Sequence, residues 1–444
     1  MNNRCIVSFV LTKRPICRAI AGLMSALLLA GLDIGRAAQP SSEQIPLKLA
    51  SPPVTSPRPA WNSEVRQVKV AKIPVIDVTD LYHPCQDIGD NFDVITAYAL
   101  PEIDLRAVIL DCTDEWRSGS RLDPGFIPVT QLNYLFNRNV PCATIPWRRM
   151  KTLDDTMLEA PAFQQAGVEL ILRVLRESKE PVHVLSFGSA RAIAVAFNRD
   201  PDLCRKKIKL IYLSAGMSNY DQDFEHNVKL DRLAIVRLLR SDLPVAVYPC
   251  GADNADSIGY GVKLAPFSYC PNNSYWKMPN SDFINQMDPR LCRYLVFAFQ
   301  REGRADFLRA MDEKKTGDFK GVHYVWETGV WIQVSGRRLV QHADGTCRII
   351  PAGKVVASDR VLPNDLRPCT VKVRDDGMFY WQPAERAATK KWIYYRGDAV
   401  ENEKALQDAL PALYTSFNPD AQTAPTGPPV GPTRSRSTSS VKSP

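Results

Sequence analysis

Residues 73–100 have the sequence IPVIDVTDLYHPCQDIGDNFDVITAYAL, in which an acidic run lies between two apolar segments. The first segment, Ile73–Ile76, predicts a buried strand, and Val94–Leu100 predicts a helix. Several carboxylates at the carboxyl end of a strand repel one another unless a cation lies among them. Because hard divalent cations prefer oxygen ligands, the run predicts a metal site at the top of an α/β sheet.

Strand and helix signals continue to alternate along the chain. Strands are predicted at residues 105–110, 141–145, 181–185, 208–213 and 244–248, and helices at 128–136, 161–177, 190–198 and 230–240. This alternation predicts an α/β fold with a mostly parallel open sheet and flanking helices. Aromatic-rich strands predicted over 323–334 and 346–350 indicate a small β-rich addition towards the carboxyl end.

The two ends of the chain differ in composition from its middle. Residues 1–38 resemble a signal peptide, because basic residues precede an apolar run of about 13 residues, which is short for a membrane span. The long basic region before the run also fits an uncleaved anchor. Residues 39–70 predict a linker, 71–417 the folded domain and 418–444 a disordered tail. We therefore expect an exported protein, periplasmic or secreted, with no stable membrane span once the signal is removed.

Charge and cysteine content narrow the expected partners. The formal net charge of +8 is spread along the chain, which argues against a nucleic-acid partner.

Export would permit disulfides, and Cys250/Cys270 and Cys347/Cys369 are near enough in sequence to pair, although connectivity stays open. The chain has no CxxC motif, which argues against a zinc ribbon or a redox centre.

Five further motifs occur in order after the acidic run. They are Pro101–Ile109, Val182–Asn198, Ile211–Gly216, the pattern Glu225-x-Asn227-x-x-x-Asp231, and Met287-Asp288-Pro289. With these motifs, residues 70–415 resemble the inosine/uridine-preferring nucleoside hydrolases. The resemblance implies Ca²⁺-dependent hydrolysis of the N-ribosidic bond of a nucleoside or related small riboside, with a water bound to the ion as nucleophile.

The resemblance also implies roles for single residues. Asp80 would be a metal ligand and the general base, Asp90 and Asp288 would be further ligands, and Phe187 would contribute its main-chain carbonyl. Glu225 and Asn227 would hold the 5′ end of the ribose.

The chain departs from the family pattern within the site. An insertion stretches the acidic motif, so that Gly89 falls where a ribose-binding Asp is expected, and Asp87 is the candidate replacement. Asp114 stands where the family has Asn and is a further candidate substrate contact, with Trp116 nearby to stack on a ring. Met287 replaces the His that protonates the leaving base in many members, and His83 in the insertion is the candidate for this catalytic role.

Other interpretations remain open at this point. Residues 185–189 could be a serine-hydrolase elbow, although the G-x-S-x-G spacing is absent. The altered positions also fit a non-catalytic exported ligand-binding protein on the same scaffold. Asp77 is expected to cap or hydrogen-bond its strand end, with metal ligation as the alternative, and Asp93 is expected to be a solvated residue on its helix. The base, the physiological role and the oligomeric state stay open, including a homo-oligomer.

Overall fold

The computed structural model describes residues 72–84, 87–113, 123–217, 225–251, 271–274, 276–278, 281–300, 319 and 323–422. Its strands are β1 Ile73–Thr79, β2 Tyr82–His83, β3 Ile103–Leu110, β4 Asp123–Pro124, β5 Cys142–Thr144, β6 Val182–Phe187, β7 Ile208–Ser214, β8 Val245–Tyr248, β9 Trp276–Met278, β10 His323–Val325, β11 Arg337–Gln341, β12 Cys347–Pro351, β13 Arg360–Leu362, β14 Asp365–Val373, β15 Phe379–Pro383 and β16 Lys391–Tyr395. Its α-helices are α1 Ile88–Ala99, α2 Phe126–Leu135, α3 Ala162–Glu177, α4 Arg191–Arg199, α5 Pro201–Lys207, α6 His226–Leu230, α7 Arg232–Arg240, α8 Pro289–Gln300, α9 Thr328–Val334 and α10 Ala399–Thr415.

A nine-stranded sheet organises the described residues, in the order β15-β14-β16-β8-β7-β6-β1-β3-β5. The run from β16 to β5 is parallel throughout, and β14 and β15 add antiparallel strands at one edge. Two apolar clusters, one on each face, bury the sheet between layers of helices. Parallel strands that are covered on both faces have continuous apolar sequences, so their positions can be predicted well from the sequence. The predicted α/β class is confirmed.

Smaller antiparallel sheets accompany the main sheet. The strands β11, β12 and β13 form one, β9 and β10 another, and β2 and β4 a third. The first of these confirms the β-rich addition towards the carboxyl end. The prediction of a strand over residues 323–334 is wrong beyond Val325, because Thr328–Val334 is a helix. Packing of its Val330, Trp331 and Ile332 into the core overrides their local preference for strand.

Helix α1 begins earlier than its apolar segment predicts. Asp87 is its N-cap, with a side-chain oxygen that accepts a hydrogen bond from the Gly89 N–H at 2.7 Å. Every residue from Gly89 to Ala99 is buried. A helix buried on all sides carries no polar face to mark its start.

Three expectations concern the chain ends and the cysteines. The predicted signal peptide and linker lie outside the described residues, while regular structure continues to a short 3₁₀ helix at Pro419–Gln422. No helix of the described part of the chain is both long and apolar enough to cross a membrane. The Cys347/Cys369 pairing that the sequence allowed is not formed, since both are free thiols, and Cys270 lies outside the described residues.

Candidate functional site

An acidic cluster lies at the carboxyl edge of the parallel sheet. We define it as Asp80, Asp87, Asp90, Asp111 and Glu327. Asp80 follows β1 and Asp111 follows β3, while Asp87 caps α1 and Asp90 lies in its first turn. Glu327 comes from far along the chain, immediately before α9. Loops at this edge are where ligands bind in open α/β sheets.

The charges of the cluster are not neutralised from within. Burial raises the pKa of Asp80 well above its usual value, and the charges of Asp111, Glu327 and Asp87 raise it further. Burial, followed by the charges of Asp80, Asp87 and Glu327, raises the pKa of Asp90 in the same way. These neighbours all carry the same sign, so each carboxylate makes its neighbours harder to ionise.

The chemistry of the donors fits a hard cation. All members of the cluster offer carboxylate oxygens, the ligands that Ca²⁺ and Mg²⁺ prefer, and a divalent charge would offset their repulsion. Among the described residues, however, no three acidic, His or Cys side chains are already gathered in metal-binding geometry. Binding would therefore require these side chains to close around the ion.

Glu327 is the member that the sequence analysis missed. It is only 6% exposed, and burial raises its pKa although the Asp93 carboxyl and the Trp326 N–H hydrogen-bond to it. A sequence signal was present, because Glu327 is the one charged residue in the stretch from 321 to 336. An isolated acid within an apolar stretch is rarely buried without a partner or a function.

Asp93 and Asp77 extend the acidic region inwards. Asp93 was expected to be solvated, but this is wrong, since it is 2% exposed. Asp77 is fully buried in the middle of β1, between β3 and β6, and does not cap the strand end. Burial and then the charge of Glu327 raise the pKa of Asp77 to about 8.

Asp111 is held in place by a buried polar network. Ser189 Oγ donates to both Asp111 oxygens, at 2.7 and 2.9 Å. Burial raises the pKa of Asp111, with the nearby Arg191 guanidinium opposing the rise. Ser186 and Ser189 are both fully buried, so their placement gives the serine-hydrolase alternative no reachable nucleophile.

Arg191 connects the loops around this edge. Its Nε donates to Asp231 Oδ2 at 2.7 Å, and both groups are buried. Its other guanidinium nitrogens donate to the carbonyls of Cys112, Pro146, Trp147 and Leu230. One side chain thereby ties the segments after β3 and β5 to the junction of α6 and α7.

Glu225 and Asn227 lie at the same edge and have structural partners. The Glu225 carboxylate caps α6, accepting from the N–H groups of Asn227 and Val228, and also from that of Gly216 after β7. Asn227 Nδ2 donates to the Ser214 carbonyl at 2.8 Å. These bonds fix the two side chains beside the ends of β7 and β8.

Two of the predicted metal ligands have different surroundings. Phe187 ends β6 in register with Thr79 of β1, so its main chain lies beside the residue that precedes Asp80. Asp288 instead forms an ion pair with Arg290 at 2.8 Å. Burial opposes ionisation of Asp288, but hydrogen bonds from Arg290 outweigh it and lower the pKa of Asp288. Arg290 also binds Asp420 near the carboxyl end.

The remaining candidates are His83, Met287, Asp114 and Trp116. His83 is buried on β2, in register with Asp123 of β4. Met287, at the position where the resemblance predicted the family His, is buried in the same apolar cluster as residues of α8. Asp114 and Trp116 lie outside the described residues, and their roles stay predictions.

Comparison with known proteins places these features in context. No family model matches the chain. It is 33% identical over 100 residues to the pyrimidine-specific ribonucleoside hydrolase RihA of Enterobacter sp. (strain 638), a match that covers 21% of this chain and 32% of the relative. It is 25% identical over 177 residues to RihA of Klebsiella pneumoniae (strain 342), covering 36% and 55%. The chain thus spans about a third to a half of the length of these relatives.

Solved nucleoside hydrolases are also found among structural neighbours. A purine-preferring ribonucleoside hydrolase from Gardnerella vaginalis aligns with 12% identity and a TM-score of 0.44, covering 77% of this chain and 99% of that one. A plant nucleoside hydrolase aligns with 14% identity and a TM-score of 0.43, at the same coverage. The sequence relatives are ribonucleoside hydrolases, the family that the motifs around Asp80 and Glu225 resemble.

Proposed function

We propose that the chain hydrolyses the N-glycosidic bond of a nucleoside or related riboside with a water bound to Ca²⁺. The observation that carries this proposal is the group of carboxylates Asp80, Asp90 and Glu327 at the carboxyl edge of the sheet, where the described part of the chain supplies no cation among their main electrostatic partners. The relatives support the reaction class, because they are named as ribonucleoside hydrolases.

In this proposal Asp80, Asp90 and Glu327 hold the ion, together with the Phe187 carbonyl. Glu327 takes the role that the resemblance predicts for Asp288, since Arg290 already binds that carboxylate. A bound divalent ion supplies a polarised water and an anchor for sugar hydroxyls. Asp80 then accepts the proton of the attacking water, a role for which its position among several acids is suited.

Asp87 is proposed to bind the ribose in place of the Asp that the family has at position 89. A Cβ atom built on Gly89 would lie only 2.9 Å from the Tyr324 carbonyl oxygen, so β10 leaves no room for a side chain there. The same Cβ would lie 3.1 Å from Asp87 Oδ1. The Asp87 carboxylate therefore already occupies the space beside the missing side chain.

The other substrate contacts remain proposals that rest on placement and resemblance. Glu225 and Asn227 are held at the sheet edge, where they would meet the 5′ end of the ribose. Asp114, which lies outside the described residues, would be a further substrate contact. His83 would protonate the leaving base, since the apolar Met287 cannot.

A non-catalytic ligand-binding role is the second candidate. It is favoured by the filled space at Gly89 and by the buried Met287, which together remove two groups that the family uses. A protein of this kind would keep the ion and lose turnover.

The test is ribose release from a panel of purine and pyrimidine nucleosides. Full-length protein is assayed with Ca²⁺, with chelator, and as the variants Asp80→Asn and Asp202→Asn, the second being an acid that is 92% exposed. Release that needs Ca²⁺ and Asp80 but not Asp202 is the expected result. A Ca²⁺-dependent rise in melting temperature without release from any nucleoside would contradict the hydrolase proposal and favour the binding protein.

We further propose export through residues 1–38. The basic residues before a short apolar run support this proposal. Amino-terminal sequencing of the protein recovered outside the cytoplasm is expected to give a start close to residue 39, and an intact Met1 there would contradict cleavage.

A further inference from the structure

A hairpin from the carboxyl-terminal half of the chain packs along α7. It is formed by β14 and β15, at the edge of the nine-stranded sheet. At the end of β14 the Val373 carbonyl accepts a hydrogen bond from Arg240, the last residue of α7, at 3.1 Å. In the turn, a Cβ atom built on Gly377 would lie 2.8 Å from the Cβ of Arg232, the first residue of α7. The hairpin is therefore in contact with both ends of this helix.

Phe379, the first residue of β15, lies against Gly216 at the end of β7. A Cβ atom built on Gly216 would lie 2.9 Å from Phe379 Cε1 and 3.1 Å from Cε2, and closer still to Cζ. Gly216 has a φ of +90°, which favours glycine. The ring also packs against the apolar cluster that contains Ala215 and Trp381. The Phe379 ring thus occupies the space that a side chain at position 216 would need.

The main chain of Gly216 holds the Glu225 carboxylate. The Gly216 N–H donates to Glu225 Oε2 at 3.0 Å, and the Gly216 carbonyl accepts from the N–H groups of Cys250 and Gly251 at 3.1 Å each. The other N–H groups that donate to Glu225 in the described part of the chain belong to α6 itself. The Gly216 peptide is therefore the contact that fixes this carboxylate relative to the end of β7.

We propose that Phe379 is a positioning residue, which holds Glu225 through Gly216 and thereby sets the preference for a ribose with a 5′-hydroxyl. The inference rests on the proposed function, in which Glu225 meets the 5′ end of the ribose. A smaller side chain at position 379 would leave a cavity beside a glycine, whose main chain is free to rotate. The Gly216 N–H would then turn away from Glu225, and the carboxylate would lose its fixed place at the sheet edge.

The test compares uridine and inosine, each with its 5′-deoxy analogue, on full-length protein with Ca²⁺. The readout is the ratio of kcat/KM for the hydroxyl form to that for the deoxy form, since a general loss of structure lowers both values and leaves the ratio unchanged. The variants are Phe379→Ala and Phe379→Leu. Tyr380→Ala is the matched control, because Phe379 and Trp381 both pack on the apolar cluster and successive side chains of a strand point to opposite faces.

Wild type is expected to prefer the hydroxyl form. In Phe379→Ala the ratio should fall about tenfold, because a small misplacement of a contact is costly, while kcat/KM for the deoxy form changes little. Phe379→Leu keeps an apolar side chain against Gly216 and should retain most of the preference. Tyr380→Ala should keep the wild-type ratio. Calorimetry with the same four compounds measures the ratio as relative affinity, without the need for turnover.

Other outcomes separate the two proposals. Ribose release by wild type with no preference for the hydroxyl form, or with the same preference in Phe379→Ala, would overturn the role of Phe379 and leave the proposed function standing. Binding without release, with a preference in affinity that Phe379→Ala loses, would support this role and contradict the hydrolase proposal. Neither binding nor release in wild type would overturn both. If Phe379→Ala does not fold, Phe379→Tyr decides, because its added hydroxyl on Cζ would press on Gly216 and should lower the ratio as well.

Discussion

Replacing Arg191 by Met is expected to lower the free energy of unfolding by about 3–5 kcal/mol. The guanidinium is fully buried and donates to Asp231 Oδ2 at 2.7 Å. Methionine keeps much of the apolar volume but leaves Asp231, which is 1% exposed, as a buried charge without its cation. The backbone N–H groups of Met150 and Ala234 still bind Asp231, which is why the loss stays within this range. Since domains are stable by about 5–15 kcal/mol, this is a large fraction.

Urea denaturation of wild type, Arg191→Met, Asp231→Asn and the double variant measures the effect. The double variant should lose less than the sum of the single losses, because removing both charges leaves neither one uncompensated. The exposed Arg205 also bridges two carboxylates, and Arg205→Met as matched control should leave the denaturation midpoint unchanged. A loss below about 1 kcal/mol for Arg191→Met would show that Asp231 does not depend on the Arg191 guanidinium for its stability in the core.

Three further predictions concern single positions. Gly89→Ala should destabilise the chain by about 1–3 kcal/mol, because the new Cβ would lie 2.9 Å from the Tyr324 carbonyl oxygen. Thermal melts measure this effect, and an unchanged melting temperature would show that β10 can shift to accommodate the methyl group. Asp87→Asn keeps a side chain that can cap α1, so the melting temperature should change little. The substitution removes a charge and should raise KM for the best nucleoside. An unchanged KM would contradict a role for Asp87 in binding the substrate. Burial lowers the pKa of Lys391 from 10.5 to about 8, so the folded chain binds fewer protons than the unfolded chain between these values. Stability relative to Lys391→Met should therefore rise with pH across this window, by up to ~3 kcal/mol, and a constant difference in urea midpoints would contradict this.

The parts of the fold that the sequence predicts well are those set by continuous apolar runs. Strands such as Val182–Phe187 and Ile208–Ser214 are buried on both faces, so their local composition identifies them. The acidic run after β1 was recognised because parallel strands bring their carboxyl ends to one edge. Thr328–Val334 was not recognised as a helix, since tertiary packing decides its conformation.

The parts of the site that the sequence misplaced depend on long-range contacts. Glu327 lies far along the chain from the other members of the cluster. No local sequence pattern indicates which strand ends such a distant residue will contact in the folded chain. Asp288 is bound by Arg290, which in turn reaches Asp420, and only the folded chain reveals this arrangement. Asp93 is predicted to be solvated because a polar residue on a helix usually is, but α1 is buried from Gly89 to Ala99.

Ca²⁺ binding by Glu327→Gln and Asp288→Asn, measured by calorimetry on full-length protein, shows which of the two carboxylates holds the ion. Glutamine keeps the shape of Glu327 and removes its charge, so this variant should lose most of its affinity for Ca²⁺. Asp288→Asn should bind Ca²⁺ as wild type does, because the Asp288 carboxylate is paired with Arg290 and lies outside the proposed ligand set. Normal binding by Glu327→Gln together with lost binding by Asp288→Asn would contradict the account.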